Sequence, residues 1–158
     1  MTGVQTCALP IWHLGQSALM MEVFGREEGD APNVDLDAER KAGEAVLAAK
    51  AAGLINAAHD LSDGGLAIAA ADMALAANIG VSISGENAGW FFGEDQARYL
   101  LSCSQDKSDD LLALLENRDV PAAAIGKVGG DALTLGESVI ALTDIREVFD
   151  TGLAKVVI

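Results

Sequence analysis

Aromatic side chains are scarce in this sequence, at 4% of 158 residues, so the core is expected to be aliphatic. Basic residues are also few. Ten Lys and Arg stand against 24 Asp and Glu, a formal net charge of −14 that repels nucleic-acid phosphates and anionic lipid surfaces alike. Nucleic-acid binding is excluded on that ground. No apolar run reaches the roughly 18 residues of a membrane span, and no charged segment precedes a short apolar core at the start, so neither a membrane protein nor a secreted one is expected. Two cysteines, Cys7 and Cys103, form neither a metal-ligand spacing nor a disulfide framework, which fits a reducing, cytoplasmic setting. Neither G-x-x-x-x-G-K-[ST] nor G-x-G-x-x-G occurs, and Lys127 and Lys155 are isolated.

What is present suits one packed domain of α/β type. The chain is long enough to bury most of its unfolded surface, and 51% of it is hydrophobic, rich in alanine and glycine. The first eleven residues, MTGVQTCALPI, stand apart: they have no hydrophobic period, no cap and no charge, and they resemble the conceptual translation of a sequencing adapter. Met1 to Ile11 are therefore expected to be an artefact outside the fold. Residues 12–158 form the single domain.

From there the pattern alternates. Ser17 and Gly25 bound a short helix, and DLDAERKAGEAVLAAKAAG reads as a well-capped one, started by Asp35 or Asp37, striped by Ala42, Ala45, Val46 and Ala49, and ended by Gly53. LINAAHD suits a buried strand, and a helix follows from Gly64 and Gly65 to about Ala77, with Leu66, Ala69, Ala70, Met73 and Ala76 or Ala77 inward and Gly80 as its stop. VSIS and RYLLSCS read as strands, SDDLLALLENR as a helix capped by Ser108, and AAAIGKV, GGDALTL and SVIAL as further strands. Gly129 and Gly130 are expected to turn the first two of those three into a hairpin. TDIREVFD ends the order as a short helix. The fold class expected is α/β, or α+β, with a mixed sheet under covering helices.

The densest polar run is HDLSDGG, residues 59–65. Its glycines allow positive φ or close approach to a ligand, and the free N–H groups of the following helix could meet an anion. Asp60 and Asp63 stand at the same helix end, where they could satisfy those donors themselves or hold a magnesium ion that in turn binds phosphate. Equally, the run could be a strand-to-helix turn capped by Ser62 or Asp63. His59 has no serine or cysteine nearby to form a triad. A second candidate is FFGEDQARYLLS, whose Glu94, Asp95, Gln96 and Arg98 precede a strand and could project into a cleft or pair with one another on a surface loop. Trp90, Phe91 and Phe92 read as a hydrophobic anchor.

In order, LGQSALMMEVFGREEGDAPNVDLDAERK, GLINAAHDLSDGGLAIAAADMALAANIGVSIS, FGEDQARYLLS and AAAIGKVGGDALTL resemble the C-terminal end of the phosphoribosylformylglycinamidine synthase family, synthetase subunit, over about His13 to Asp150. Aminoimidazole ribonucleotide synthetase and related proteins share the domain type. The resemblance implies the C-terminal-domain fold of that type, here the last B-type domain of a longer subunit that contains two A-type and two B-type domains. It implies a parent enzyme that uses ATP, magnesium and glutamine-derived ammonia to convert formylglycinamide ribonucleotide to its amidine in purine biosynthesis. The implied partners are the missing N-terminal domains, a glutaminase subunit and a small bridging subunit. No catalytic residue or metal ligand is expected in this chain, and the domain alone is expected to be inactive. The cleft candidates are His59, Asp60, Ser62, Asp63, Gly64 and Gly65, which match the family's turn as a motif, and Glu94 and Gln96, which match a Glu-x-Gln loop that contacts substrate in an earlier copy. The alternatives are a non-catalytic packing module, the C-terminal domain of a related ATP-dependent synthetase, or a stand-alone nucleotide-binding protein. A fragment should also expose an apolar patch around Leu14, Leu19, Met20 and Phe24.

Overall fold

The computed structural model describes residues 2–7, 13–85 and 87–156. Its framework is a seven-stranded mixed sheet of β1 (Thr2–Cys7), β2 (Ala57–Asp60), β3 (Val81–Ile83), β4 (Tyr99–Ser104), β5 (Ala122–Val128), β6 (Ala132–Leu135) and β7 (Ser138–Ala141). Across the sheet they lie in the order β2-β4-β1-β5-β3-β6-β7. Only β3 and β6 run parallel; the other neighbours are antiparallel. The helices are α1 (Leu36–Ala51), α2 (Gly65–Ala77), α3 (Ala88–Phe92), α4 (Ser108–Glu116) and α5 (Leu142–Val156), and a π-helical turn spans Leu19–Val23.

Alternation along β4 divides the core. Leu100 faces a cluster built from Leu66, Ala69, Ala70 and Ala74 of α2, Phe91 of α3 and Leu142 of α5. Leu101 and Cys103 face the opposite cluster, made by Ala42, Ala45 and Ala49 of α1 and by Leu111 and Leu115 of α4. A strand with both faces covered reads as a continuous apolar run, which explains YLLSCS. The alanine stripes of α1 and α2 let these helices approach the sheet closely. Asp35 caps α1, its Oδ1 accepting from the Asp37 and Ala38 amides at 3.0 Å each. Arg146 of α5 donates to the Leu75 carbonyl at 2.8 Å and so satisfies the C-terminal end of α2.

Several expectations change. LINAAHD is not a buried strand: β2 is a sheet edge paired with β4 alone, and its residues are exposed apart from a half-buried His59. Gly129 and Gly130 do not close a hairpin, because β3 inserts between β5 and β6. The Gly80 amide donates to the Gly130 carbonyl at 2.8 Å and the Gly129 amide to the Gly80 carbonyl at 2.7 Å. Val81 and Ile83 share one face of β3 and are buried in the cluster built by α2, while β5 and β6 pair its backbone on either side. The hairpin lies instead between β6 and β7, around Gly136. Helix α2 stops at left-handed Asn78, and Ala76 and Ala77 are exposed while Ala74 is buried. Ser108 opens α4 as its first residue rather than capping it. A short helix forms at Ala88–Phe92, between the expected strands VSIS and RYLLSCS, with Asn87 accepting from the Trp90 amide at 3.0 Å.

The largest difference concerns the start of the chain. Thr2–Cys7 pair with β4 on one side and β5 on the other, in the middle of the sheet. Strand pairing uses backbone N–H and C=O groups, so the gap between β4 and β5 can be bridged by a segment without side-chain periodicity. Met1 and residues 8–11 lie outside the described residues. The expected apolar patch is displaced by a residue or so. Met21, Val23 and Phe24 are exposed, whereas Leu14, Leu19 and Met20 are half-buried. Among the described residues, no helix is long and apolar enough to cross a membrane.

Candidate functional site

Three segments meet at one end of α2: residues 13–18, the turn at 61–65, and the loop at 93–98. The turn is shaped by its glycines. Gly64 and Gly65 both have positive φ, +77° and +60°, and the Gly65 amide donates to the Ser62 carbonyl at 2.9 Å. A Cβ on Gly65 would stand 2.6 Å from the Gly93 carbonyl oxygen, so backbone packs directly on backbone there. Only glycine meets both demands.

Glu94 ties the three segments together. Its Oε1 accepts from the Gly64 amide at 2.7 Å and from the Ala18 amide at 2.8 Å, across 30 and 76 residues of chain. The arrangement bears on both readings of HDLSDGG. Neither Ser62 nor Asp63 caps the helix; both are exposed, and Gly64 stands at the N-cap without a side-chain bond of its own. Nor is the Gly64 amide open to an external anion, since a carboxylate from a distant loop already holds it. Glu94, expected as a cleft residue, thus binds backbone.

The rest of that loop splits by direction. Asp95 and Arg98 are buried, whereas Gln96 is exposed. Arg98 Nη1 donates to the Gly93 carbonyl at 2.9 Å and lies 4.0 Å from Asp95 Oδ2, and its guanidinium sits 6.0 Å from the Trp90 ring centroid. His13 Nε2 approaches Asp95 Oδ1 at 3.6 Å. Burial pushes the Asp95 carboxyl above its ordinary range, with His13 and Arg98 opposing the shift. The same desolvation lowers Arg98, opposed by Asp95. Asp95 Oδ2 and Arg98 Nε are buried without a hydrogen-bond partner among the described residues, so this pair is imperfectly satisfied.

Two acidic residues that the sequence reading passed over complete the region. Glu39, in the first turn of α1, accepts from the Ala97 amide through Oε2 and from the Tyr99 hydroxyl through Oε1, both at 2.7 Å. Asp72 of α2 stands 3.7 Å from His59 Nε2, while His59 Nδ1 contacts the Asp60 carbonyl oxygen. Acids in a first helical turn are ordinary partners of the helix dipole, so nothing local marked Glu39. His59 Nδ1 also lies 3.7 Å from Asp60 Oδ1. The structure therefore unites Gly64 and Gly65 with the Glu94 loop and places His59 beside Asp72; it does not gather all eight candidates around one point. Among the described residues, no group of three or more His, Cys, Asp or Glu is placed to hold a metal ion.

The sequence profile described as "AIR synthase related protein, C-terminal domain" matches residues 11–136. Phosphoribosylformylglycinamidine synthase subunit PurL of Cereibacter sphaeroides (strain KD131) is 47% identical over 145 residues, covering 92% of this chain and 20% of that protein. The subunit PurL of Methylocella silvestris is 43% identical over 142 residues, 87% of this chain and 19% of its own length. This chain thus spans about one fifth of the curated relatives it matches. Among solved structures, T. maritima PurL complexed with FGAR gives a TM-score of 0.72 at 18% identity, covering 91% of this chain and 27% of that one. Thiamine-monophosphate kinase from Stenotrophomonas maltophilia gives 0.59 at 18% identity, over 88% and 51%. These structural likenesses establish the α/β fold, with its mixed sheet and covering helices. With well over half of its residues matched by the profile, the chain belongs to the AIR synthase related protein family, as that family's C-terminal domain.

Proposed function

We propose that this chain is the last B-type domain of the synthetase subunit of phosphoribosylformylglycinamidine synthase, and that residues 12–158 carry it. The observation that supports this most is the 47% identity to subunit PurL along 92% of the chain. In the parent, ATP activates the amide oxygen of formylglycinamide ribonucleotide by phosphorylation. Ammonia then displaces phosphate to give the amidine. Solved structures include T. maritima PurL complexed with FGAR and with ATP, and PurLQS from Thermotoga maritima. ATP and magnesium use, a cytoplasmic setting, and partnership with a glutaminase and a small bridging subunit are proposed here by that likeness.

This domain's own residues hold and shape a cleft wall rather than perform chemistry. The Gly64-Gly65 turn, fixed by Glu94, sets the edge of the wall, and Gln96 is the exposed amide on it. Catalysis of phosphoryl transfer depends on positioned charge around the transferred group, and such a constellation is expected from the parent's other domains. The domain alone is therefore inert. Met1–Ile11 are proposed to be an adapter-derived artefact, of which Thr2–Cys7 supply backbone pairing to β4 and β5.

Grafting residues 13–158 in place of the corresponding domain of the Cereibacter sphaeroides subunit tests the reading. The folded graft should turn over formylglycinamide ribonucleotide with Mg-ATP and ammonia, and the 158-residue chain should not. A folded but inactive graft, or turnover by the isolated chain, would sink it. Because one carboxylate already occupies the Gly64 amide, a purely structural module is the second reading; the graft retaining full activity after combined substitution of Gln96 and His59 would favour it.

A further inference from the structure

The loop from Glu94 to Arg98 is held at both ends by carboxylates. At one end Glu94 accepts from Ala18 and Gly64; at the other, Glu39 takes the Ala97 amide and the Tyr99 hydroxyl. Ala97 has φ +61°, the left-handed region that an alanine rarely adopts. Between the clamps Asp95 points inward and Gln96 is the exposed residue of the five. A residue in an unfavourable conformation persists only where its surroundings over-determine it, and the fixed acceptor on α1 is the group that does so here.

We propose that Glu39 is a positioning residue for the candidate cleft: by holding Ala97 left-handed it turns Gln96 outward and fixes its carboxamide toward a ligand that offers a paired donor and acceptor. The proposal rests on the reading of the loop as part of a ligand cleft. It makes a coupling that ordinary packing does not. Glycine adopts positive φ without help, so Ala97→Gly should make the loop largely independent of Glu39.

Amide hydrogen exchange on the 158-residue chain reads the geometry. Glu39→Ala should speed exchange at Ala97, and also at Ala18 and Gly64, by about tenfold or more relative to the amides of β4, the signature of local rather than global opening. Glu39→Gln keeps one acceptor oxygen and should fall between. In Glu39→Ala/Ala97→Gly, protection at Ala18 and Gly64 should return. If all amides rise together, or if Ala18 and Gly64 remain protected in Glu39→Ala and Glu39→Gln, the positioning role is wrong.

The ligand side is read in the grafted subunit with formylglycinamide ribonucleotide as the varied substrate. Glu39→Ala should raise KM about tenfold with kcat within about twofold, the pattern of lost ground-state binding, and Ala97→Gly should restore it. An unchanged KM overturns the proposal. A wild-type graft that is folded and inactive would instead refute the functional reading, while the exchange pattern still decides whether Glu39 positions the loop.

Discussion

Replacing Glu94 by alanine removes one carboxylate and frees two backbone donors, the Gly64 and Ala18 amides, that have no other acceptor among the described residues. The Gly64 amide belongs to a buried residue, so leaving it unpaired costs the desolvation of that group, about 1–3 kcal/mol. The Ala18 amide is half-buried, where water can reach part of it, and its loss is worth about 0.5–1.5 kcal/mol. Together the expected destabilisation of Glu94→Ala is about 1.5–4.5 kcal/mol. Glu94→Gln keeps a neutral acceptor and should lose about half as much, since bonds to a charged group are roughly twice as strong as neutral ones. Urea denaturation of the chain measures both: the midpoint should fall while the slope with denaturant stays constant. If Glu94→Ala changes stability by less than about 0.5 kcal/mol, the level of an ordinary surface substitution, the carboxylate does not hold these segments and the account of the turn given above fails.

Gly65→Ala should destabilise by about 3 kcal/mol or more, because a Cβ would stand 2.6 Å from the Gly93 carbonyl oxygen at φ +60°; thermal unfolding of the variant measures this, and a near-neutral effect would contradict the close approach. For Asp95, whose pKa is raised by burial, the folded state binds its proton more tightly than the unfolded one. Its contribution to stability is therefore fully favourable below the ordinary value of 3.8 and declines as pH rises through the raised folded value. Asp95→Asn should remove that decline from a plot of unfolding free energy against pH, and a slope unchanged above pH 4 would refute it. Phe24→Ser should leave stability within about 0.5 kcal/mol, since the ring is 59% exposed; a larger loss in urea denaturation would show that it packs. Leu101→Ala, at a fully buried position between β4 and the α1–α4 layer, should cost about 2–5 kcal/mol by the same measurement.

The sequence exposed its helices well because local signals agreed with the fold. Asp35 followed by acids and an alanine stripe produced α1 with the cap in place, and the run of small residues after Gly65 produced α2. It failed where the deciding partner was distant. HDLSDGG carries its own hydroxyl and carboxylates, so Ser62 and Asp63 were reasonable caps. The acceptor that won comes from Glu94, 30 residues away. Glu39 was hidden for the same cause: its two bonds reach Ala97 and Tyr99, 58 and 60 residues downstream.

The amino-acid order by itself determined an acidic, aliphatic α/β domain, the starts of α1 and α2, and a glycine turn between β2 and α2. Those properties follow from composition and from interactions within a few residues. Tertiary structure decided that β3 separates β5 from β6, that Thr2–Cys7 bridge β4 and β5, and that one carboxylate closes the polar turn while another sets Ala97. Strand order and long-range hydrogen bonds depend on which buried surfaces and unpaired backbone groups meet after the chain has folded back on itself, and no local pattern encodes that meeting.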